Sequence, residues 1–241
     1  PLKLWAANVA GGRAKLVTLG EESGILELPP PSVSLHIHSS PPCTEFSPAR
    51  NGSVGSAAAA DVEGGVQVMR WALDLMLGRG DFSWSLENVS TPTTRAVLVE
   101  YANRFPERVG FAIFDAADFG APQTRCRLIA APPRVIRSLQ EMPSARRVSV
   151  REAFEEHGIE VPASHFKNQT RNRDGTACVR SVEEQGFTVC ASHALTWCDR
   201  EGKTVRVMTA AESAVLMGFP LEWRLPPGSR NAQRAVGNAM C

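Results

Sequence analysis

Apolar and polar positions change their period several times along this chain, and each change predicts an element. Val33, Leu35 and Ile37 alternate with Ser34, His36 and His38, the period of two that marks a strand. Pro41 and Pro42 end it, because proline cannot donate to a sheet ladder. Cys43 then stands on a turn just past the strand's C-terminal end. Leu2 to Ala7 reads as another short strand. Val9 to Leu19 reads as a weak helix, since Gly11 and Gly12 each cost about 1 kcal/mol inside one. Residues 47 to 65, rich in Gly, Ser and Ala, read as a loop. Val66, Met69, Leu73, Met76 and Leu77 then follow helical spacing, which Gly78 and Gly80 end.

The alternation of strands and helices continues. Trp84 and Leu86 lead into Glu87 as a short strand. Thr91-Pro92 starts a helix with proline at its first position, and Pro106 closes it. Val109 to Phe114 reads as a buried strand, Asp118 to Pro122 as a turn, and Arg127 to Ala131 as a strand broken by Pro132-Pro133. Strand–helix–strand repetition predicts a largely parallel, doubly wound α/β sheet with helices on both faces. Beyond Pro132 the texture changes. Ser149 with Glu152 three residues on predicts a capped helix to His157. Residues 167 to 175 are a polar stretch, and Phe187-Thr188-Val189 and Leu195-Thr196-Trp197 read as short strands.

Composition narrows the class without choosing a function. A chain of 241 residues with 43% hydrophobic and 21% charged side chains has enough apolar material for one large domain, or a large and a small one. A net charge of +1 gives no global basic bias, so nucleic-acid contact would rest on local Lys/Arg clusters. No apolar run approaches the roughly 20 residues of a membrane span, so no membrane is expected. Six irregularly spaced cysteines suggest reduced thiols and an intracellular setting. Cys178, Cys190, His193 and Cys198 lack the two tight Cys-x-x-Cys pairs of a structural zinc site, so no metal is expected.

The polar positions that this pattern leaves at element ends form an ordered series. They are Pro41-Pro42-Cys43, then Glu87-Asn88-Val89, then Gly120-Ala121-Pro122-Gln123-Thr124-Arg125-Cys126-Arg127. Further on come Arg206-Val207-Met208-Thr209 with Glu212 and Gly218-Phe219-Pro220, and last Val236-Gly237-Asn238. Together they resemble the motifs of the DNA (cytosine-5) methyltransferases, in the order of that family and over most of the chain. The resemblance implies a Rossmann-like fold that binds S-adenosylmethionine, plus a small mixed recognition domain. On it, residues 1–135 are expected to form the catalytic core, 136–222 a small target-recognition region and hinge, and 223–241 a return segment to the core. No Phe-x-Gly-x-Gly precedes Cys43, and the chain opens on Pro1. The first strand of the fold and its Gly-rich turn are therefore expected to be missing by N-terminal truncation.

The resemblance also implies roles. Cytosine C5 is too weak a nucleophile to take a methyl group unaided. A Cys43 thiolate adding at C6 of a base flipped out of double-stranded DNA turns the ring into an enamine whose C5 is nucleophilic. Glu87 would share a proton with N3, Arg127 would offset charge at O2, and Arg125 would help Glu87 or meet the DNA backbone. The methyl donor would be S-adenosylmethionine, with Asn8, Pro41, Gly237, Asn238 and Ala239 on its side. Asn8 stands where the family carries a ribose-binding carboxylate, and Thr44 replaces the usual glutamine after the cysteine. Ser47, Arg50, Gln123, Lys167, Arg171, Arg173 and Arg206 would meet DNA, the protein acting as a monomer. The basic residues equally suit a solvated face. Two other readings stay open: a non-catalytic relative that binds DNA or a partner protein, and an RNA cytosine-5 methyltransferase. The Cys-Phe-Thr signature of the transfer-RNA branch is absent.

Overall fold

A computed structural model of the chain describes residues 35–42, 56–78, 82–172 and 174–239. Two compact units emerge. One holds the described parts of Val17–Phe114 and Cys126–Pro143, the other Asp115–Arg125 and the described parts of Ser144–Cys241.

The first unit takes its elements from β1 (His36–Ser39), α1 (Ser56–Gly78), β2 (Ser83–Asn88), α2 (Pro92–Arg104), β3 (Gly110–Asp115), β4 (Cys126–Ala131) and α3 (Pro133–Glu141). Its sheet runs in the order β1-β2-β4-β3. β1 and β2 are parallel, with His36 opposite Ser83 and Ser39 opposite Leu86. β2 and β4 are antiparallel, with Glu87 opposite Ile129. The sheet is thus mixed rather than mostly parallel. A parallel neighbour needs a long crossover, usually a helix. The chain between β3 and β4 has only the 3-10 turn Ala116–Phe119 and a short loop, too little for one.

Helix α1 starts at Ser56, ten residues before the periodic apolar pattern that announces it. Alanine has the highest helix propensity of any residue type, and the run Ala57–Ala60 lies within this helix rather than in a loop. Met69, Leu73 and Met76 bury one face of α1 with Trp84 and Leu86 of β2 and Leu98 and Tyr101 of α2. Thr91 caps α2 through the Thr94 backbone N–H, and the Thr94 hydroxyl reciprocates on the Thr91 N–H. The Pro132-Pro133 pair ends a strand as expected, and Pro133 also opens α3, where its missing N–H is not needed.

The second unit holds α4 (Val150–Glu156), β5 (His165–Arg171), β6 (Ala177–Ser181), β7 (Thr196–Cys198), β8 (Thr204–Val207), α5 (Ala210–Leu216) and α6 (Ser229–Gly237). Its sheet is antiparallel in the order β6-β5-β7-β8. Phe154, Phe166 and Trp197 form its buried centre, with Phe154 and Trp197 edge to face at 5.5 Å. The polar stretch 167–175 lies within a hairpin, a fold its exposed outer half hides from any pattern of period two. Gly175 turns that hairpin at φ 83°, a left-handed conformation that suits glycine. Phe187-Thr188-Val189 is not a strand: only Gly186 beside it bridges, to Gln123. Ser149 and Glu152 form the expected capping box on α4. Among the described residues, no helix is long and apolar enough to cross a membrane.

Helix α5 begins with a second such box, Thr209 and Glu212, and Glu212 also holds Arg206 and the indole N–H of Trp197. Burial pushes the Glu212 carboxyl up, but the bonds from Arg206 and Thr209 outweigh it and hold it below its usual 4.5. A depressed carboxyl stabilises the fold above its unfolded value, and that contribution is lost as pH falls through the folded value. Glu212→Gln is therefore expected to lose about 1–3 kcal/mol at neutral pH. In urea titrations its stability should fall less steeply than the wild type's between about pH 5 and pH 3. Equal slopes in the two proteins would contradict the pairing.

Candidate functional site

β1 and β2 point the same way, so their C-terminal ends lie side by side, the edge at which ligands bind in open α/β sheets. The alternation of β1 sends Ile37 toward the core and His36, His38 and Ser40 to the opposite face. On the same face β2 carries Ser83, Ser85 and Glu87, increasingly buried along the strand. The two rows are hydrogen-bonded rung by rung. His36 Nδ1 lies 2.8 Å from Ser83 Oγ, and His36 Nε2 lies 2.9 Å from Ser85 Oγ. His38 Nδ1 lies 2.8 Å from the same Ser85 Oγ. Burial lowers the pKa of His38 below its usual value, against the opposing pull of the Glu87 charge.

The last rung brings a carboxylate and a guanidinium together. Glu87 is buried, and each of its carboxylate oxygens has a partner. The Arg127 Nε lies 2.8 Å from Oε1 as an ion pair, and the Ser40 hydroxyl donates to Oε2 at 2.5 Å. Arg127 reaches Glu87 because β4 lies antiparallel against β2, with Ile129 opposite Glu87 and Arg127 two residues along on the same face. Asn88, on the other face, donates to the Pro41 carbonyl at 3.4 Å. Residues from two separate motifs, the buried Glu87 and the half-buried Arg127, thus meet as a charge pair near the end of β1. Neither Ser40 nor His38 was singled out from sequence, although both continue the alternation of β1.

Arg125 and its motif neighbours sit elsewhere and do another job. The Arg125 guanidinium is 4% exposed and donates to the carbonyls of Val189, Gly237 and Ala239, between 2.9 and 3.3 Å. Its expected role as a helper of Glu87 gives way to a structural one, since buried donors take the acceptors that enclose them. Gln123, expected at DNA, is fully buried and joins Leu216 O and the Val189 N–H. Arg206, also expected at DNA, forks onto Glu212, with only part of its side chain in solvent. Lys167 donates to Gly202 O and Arg171 to Gly175 O, both within the hairpin unit, and Arg171 stays exposed.

The residues expected on the methyl-donor side divide. Gly237 packs closely against other backbone: a Cβ there would stand 2.2 Å from the Ala191 backbone nitrogen. Its carbonyl and that of Ala239 accept from Arg125. Pro41 is buried, and its carbonyl accepts from Asn88. Asn238, which caps α6, is exposed, so its amide fits hydrogen bonding to a bound group. Asn8, Cys43, Ser47, Arg50 and Arg173 lie outside the described residues. Among the described residues, no three metal-ligating side chains cluster.

This mixed α/β arrangement is similar to that of solved methyltransferases. The structure of the methyltransferase EhMeth from Entamoeba histolytica aligns at a TM-score of 0.51 and 13% identity, over 85% of this chain and 72% of that one. The chain has a methyltransferase-like fold. An E. coli protein assigned as a prophage-encoded DNA modification methyltransferase aligns at 0.47 and 15% identity, over 85% of this chain and 74% of the other. The Dnmt2 methyltransferase of S. pombe aligns at 0.45 and 16% identity, over 85% and 72%. No family model and no curated protein matches the sequence. On this methyltransferase-like fold, the Glu87–Arg127 pair lies at the C-terminal edge of the parallel strands.

Proposed function

We propose that this chain is the catalytic domain of a DNA cytosine-5 methyltransferase that attacks a flipped cytosine through Cys43. The observation that carries this reading is the ion pair of Arg127 with the buried Glu87, whose other oxygen accepts from Ser40 just past β1. The methyltransferase-like fold and the order of the motifs support it.

In this reading the Cys43 thiolate adds to C6, and the C5–C6 double-bond electrons move into the ring toward N3 and O2. Glu87 shares a proton with N3 as negative charge grows there, and Arg127 stabilises charge on O2. Each carboxylate oxygen has more than one lone pair, so Glu87 can meet the base while it keeps Arg127 and Ser40. S-adenosylmethionine, when bound, supplies an electrophilic methyl group for C5, and the exposed Asn238 amide would help hold it. Loss of the C5 proton to a base then returns electrons to the ring and expels the thiolate. The exposed Arg171 would contact DNA phosphates.

A second reading is a non-catalytic relative that binds DNA or a partner protein. The engagement of Gly237, Ala239 and Pro41 within the protein itself favours it.

One experiment separates the two. The full-length protein is incubated with S-adenosylmethionine and duplex DNA containing 5-fluorocytosine, whose C5 fluorine blocks the final elimination. A denaturation-resistant protein–DNA adduct that disappears in Cys43→Ser is expected. Folded protein without adduct on DNA of mixed sequence would overturn the catalytic reading in favour of the binding module. An adduct on 5-fluorocytosine RNA alone would move the substrate to RNA.

A further inference from the structure

We infer that Ser40 is a positioning residue for Glu87, a role that rests on the methyltransferase reading and deepens it. Glu87 comes from the middle of the sheet and has a flexible three-torsion side chain. Arg127 alone binds it at a single nitrogen–oxygen contact, Nε to Oε1. One such contact fixes a point and leaves the carboxyl plane free to turn about it. Ser40 supplies the second point, because its hydroxyl donates to the other oxygen, Oε2, at 2.5 Å, the short distance of a charge-assisted bond. The two contacts come from opposite sides, β4 and the end of β1, with β2 between them. Two anchors on two oxygens define the plane in which the remaining lone pairs face a base.

The strand register makes the second anchor possible. Ser39 is opposite Leu86 in the parallel ladder, so the next residue on β1, Ser40, comes level with Glu87 on the outer face. Pro41 follows and is buried, its carbonyl tied to Asn88, so the backbone that carries Ser40 is fixed on its C-terminal side. On its N-terminal side the rungs His36–Ser83, His36–Ser85 and His38–Ser85 lock β1 to β2. Ser40 itself is exposed. Its truncation therefore removes a hydroxyl and leaves no cavity.

Misplacement of a reacting group by a fraction of its normal distance lowers the chemical step without weakening ground-state binding. In Ser40→Ala, single-turnover adduct formation on 5-fluorocytosine DNA is expected to slow about 10- to 100-fold, with the DNA Kd within about twofold of wild type. Ser40→Thr keeps the hydroxyl and is expected to restore the rate to within about threefold. A Ser40→Ala rate equal to wild type would overturn the positioning role while the methyltransferase reading stands. So would a Ser40→Thr protein as slow as Ser40→Ala, or a loss that resides wholly in the DNA Kd. Folded wild-type protein without any adduct would overturn the methyltransferase reading, and this inference with it.

Discussion

Gly237→Ala is expected to unfold the second unit or leave it only marginally stable. In an ordinary helix this change stabilises by about 1 kcal/mol, because alanine has the higher propensity. Here the sign reverses. A Cβ on Gly237 would stand 2.2 Å from the nitrogen of Ala191, 2.3 Å from the carbonyl carbon of Cys190 and 2.5 Å from the Ala191 Cα. All three are backbone atoms and no rotamer change can move them. The end of α6 thus packs main chain against main chain, and the methyl group has to push the two segments apart. Overpacking in a well-filled site costs about 1–3 kcal/mol and more where backbone must move, so a loss of at least about 4 kcal/mol is expected. Gly64→Ala is the matched control, since nothing lies within 4 Å of a Cβ built on that exposed residue of α1. It should gain about 0.5–1 kcal/mol. Urea denaturation of the three proteins checks both signs, and a Gly237→Ala midpoint at or above the wild type's would contradict the close approach.

The same junction makes Arg125 the second large effect. Its guanidinium satisfies the carbonyls of Val189, Gly237 and Ala239. Arg125→Met keeps much of the apolar stem and removes every donor. Each buried acceptor left without a partner costs about 1–3 kcal/mol, so the variant is expected to lose about 3–5 kcal/mol. Arg125→Lys offers a compact point charge in place of a planar fork and should recover only part of that loss. The result distinguishes structural from catalytic duty. A structural Arg125 lowers the denaturation midpoint in proportion to the donors removed. A catalytic one would leave the midpoint unchanged and abolish adduct formation.

Much of the first unit was legible because its signals are local. The alternation that reaches His36, Ile37 and His38, the helical spacing of Met69, Leu73 and Met76 and the Thr91-Pro92 start each belong to one element, and the structure forms a strand over His36–Ser39 and helices at the other two places. The capping box of Ser149 and Glu152 was legible for the same reason. Elements whose residues do not alternate were not. β5 buries only Phe166 fully, so its outer half looks like a loop, and α1 begins on alanines that carry no amphipathic period. Pro132-Pro133 reads as the end of a strand, and in the structure Pro133 also opens the next helix.

The candidate site divides along the same line. The resemblance implies separate roles for Glu87 and Arg127 on the base's polar edge, and the antiparallel register of β2 and β4 brings the two to 2.8 Å of each other. Ser40 went unnoticed, although it continues the polar series of His36 and His38. Only the parallel ladder puts it level with Glu87.

By itself, then, the sequence determined the order of the motif residues and the periods and caps that make individual helices and strands. Only the tertiary structure decided what each side chain holds. Arg125 and Arg127 stand two positions apart in one motif, yet one is bound to carbonyls 64 to 114 residues away and the other to Glu87. The physical reason is that a period or a cap is an interaction among neighbours within a turn or two of chain. A buried donor, in contrast, is matched to whatever acceptors the fold delivers, and those come from segments whose approach no local window encodes.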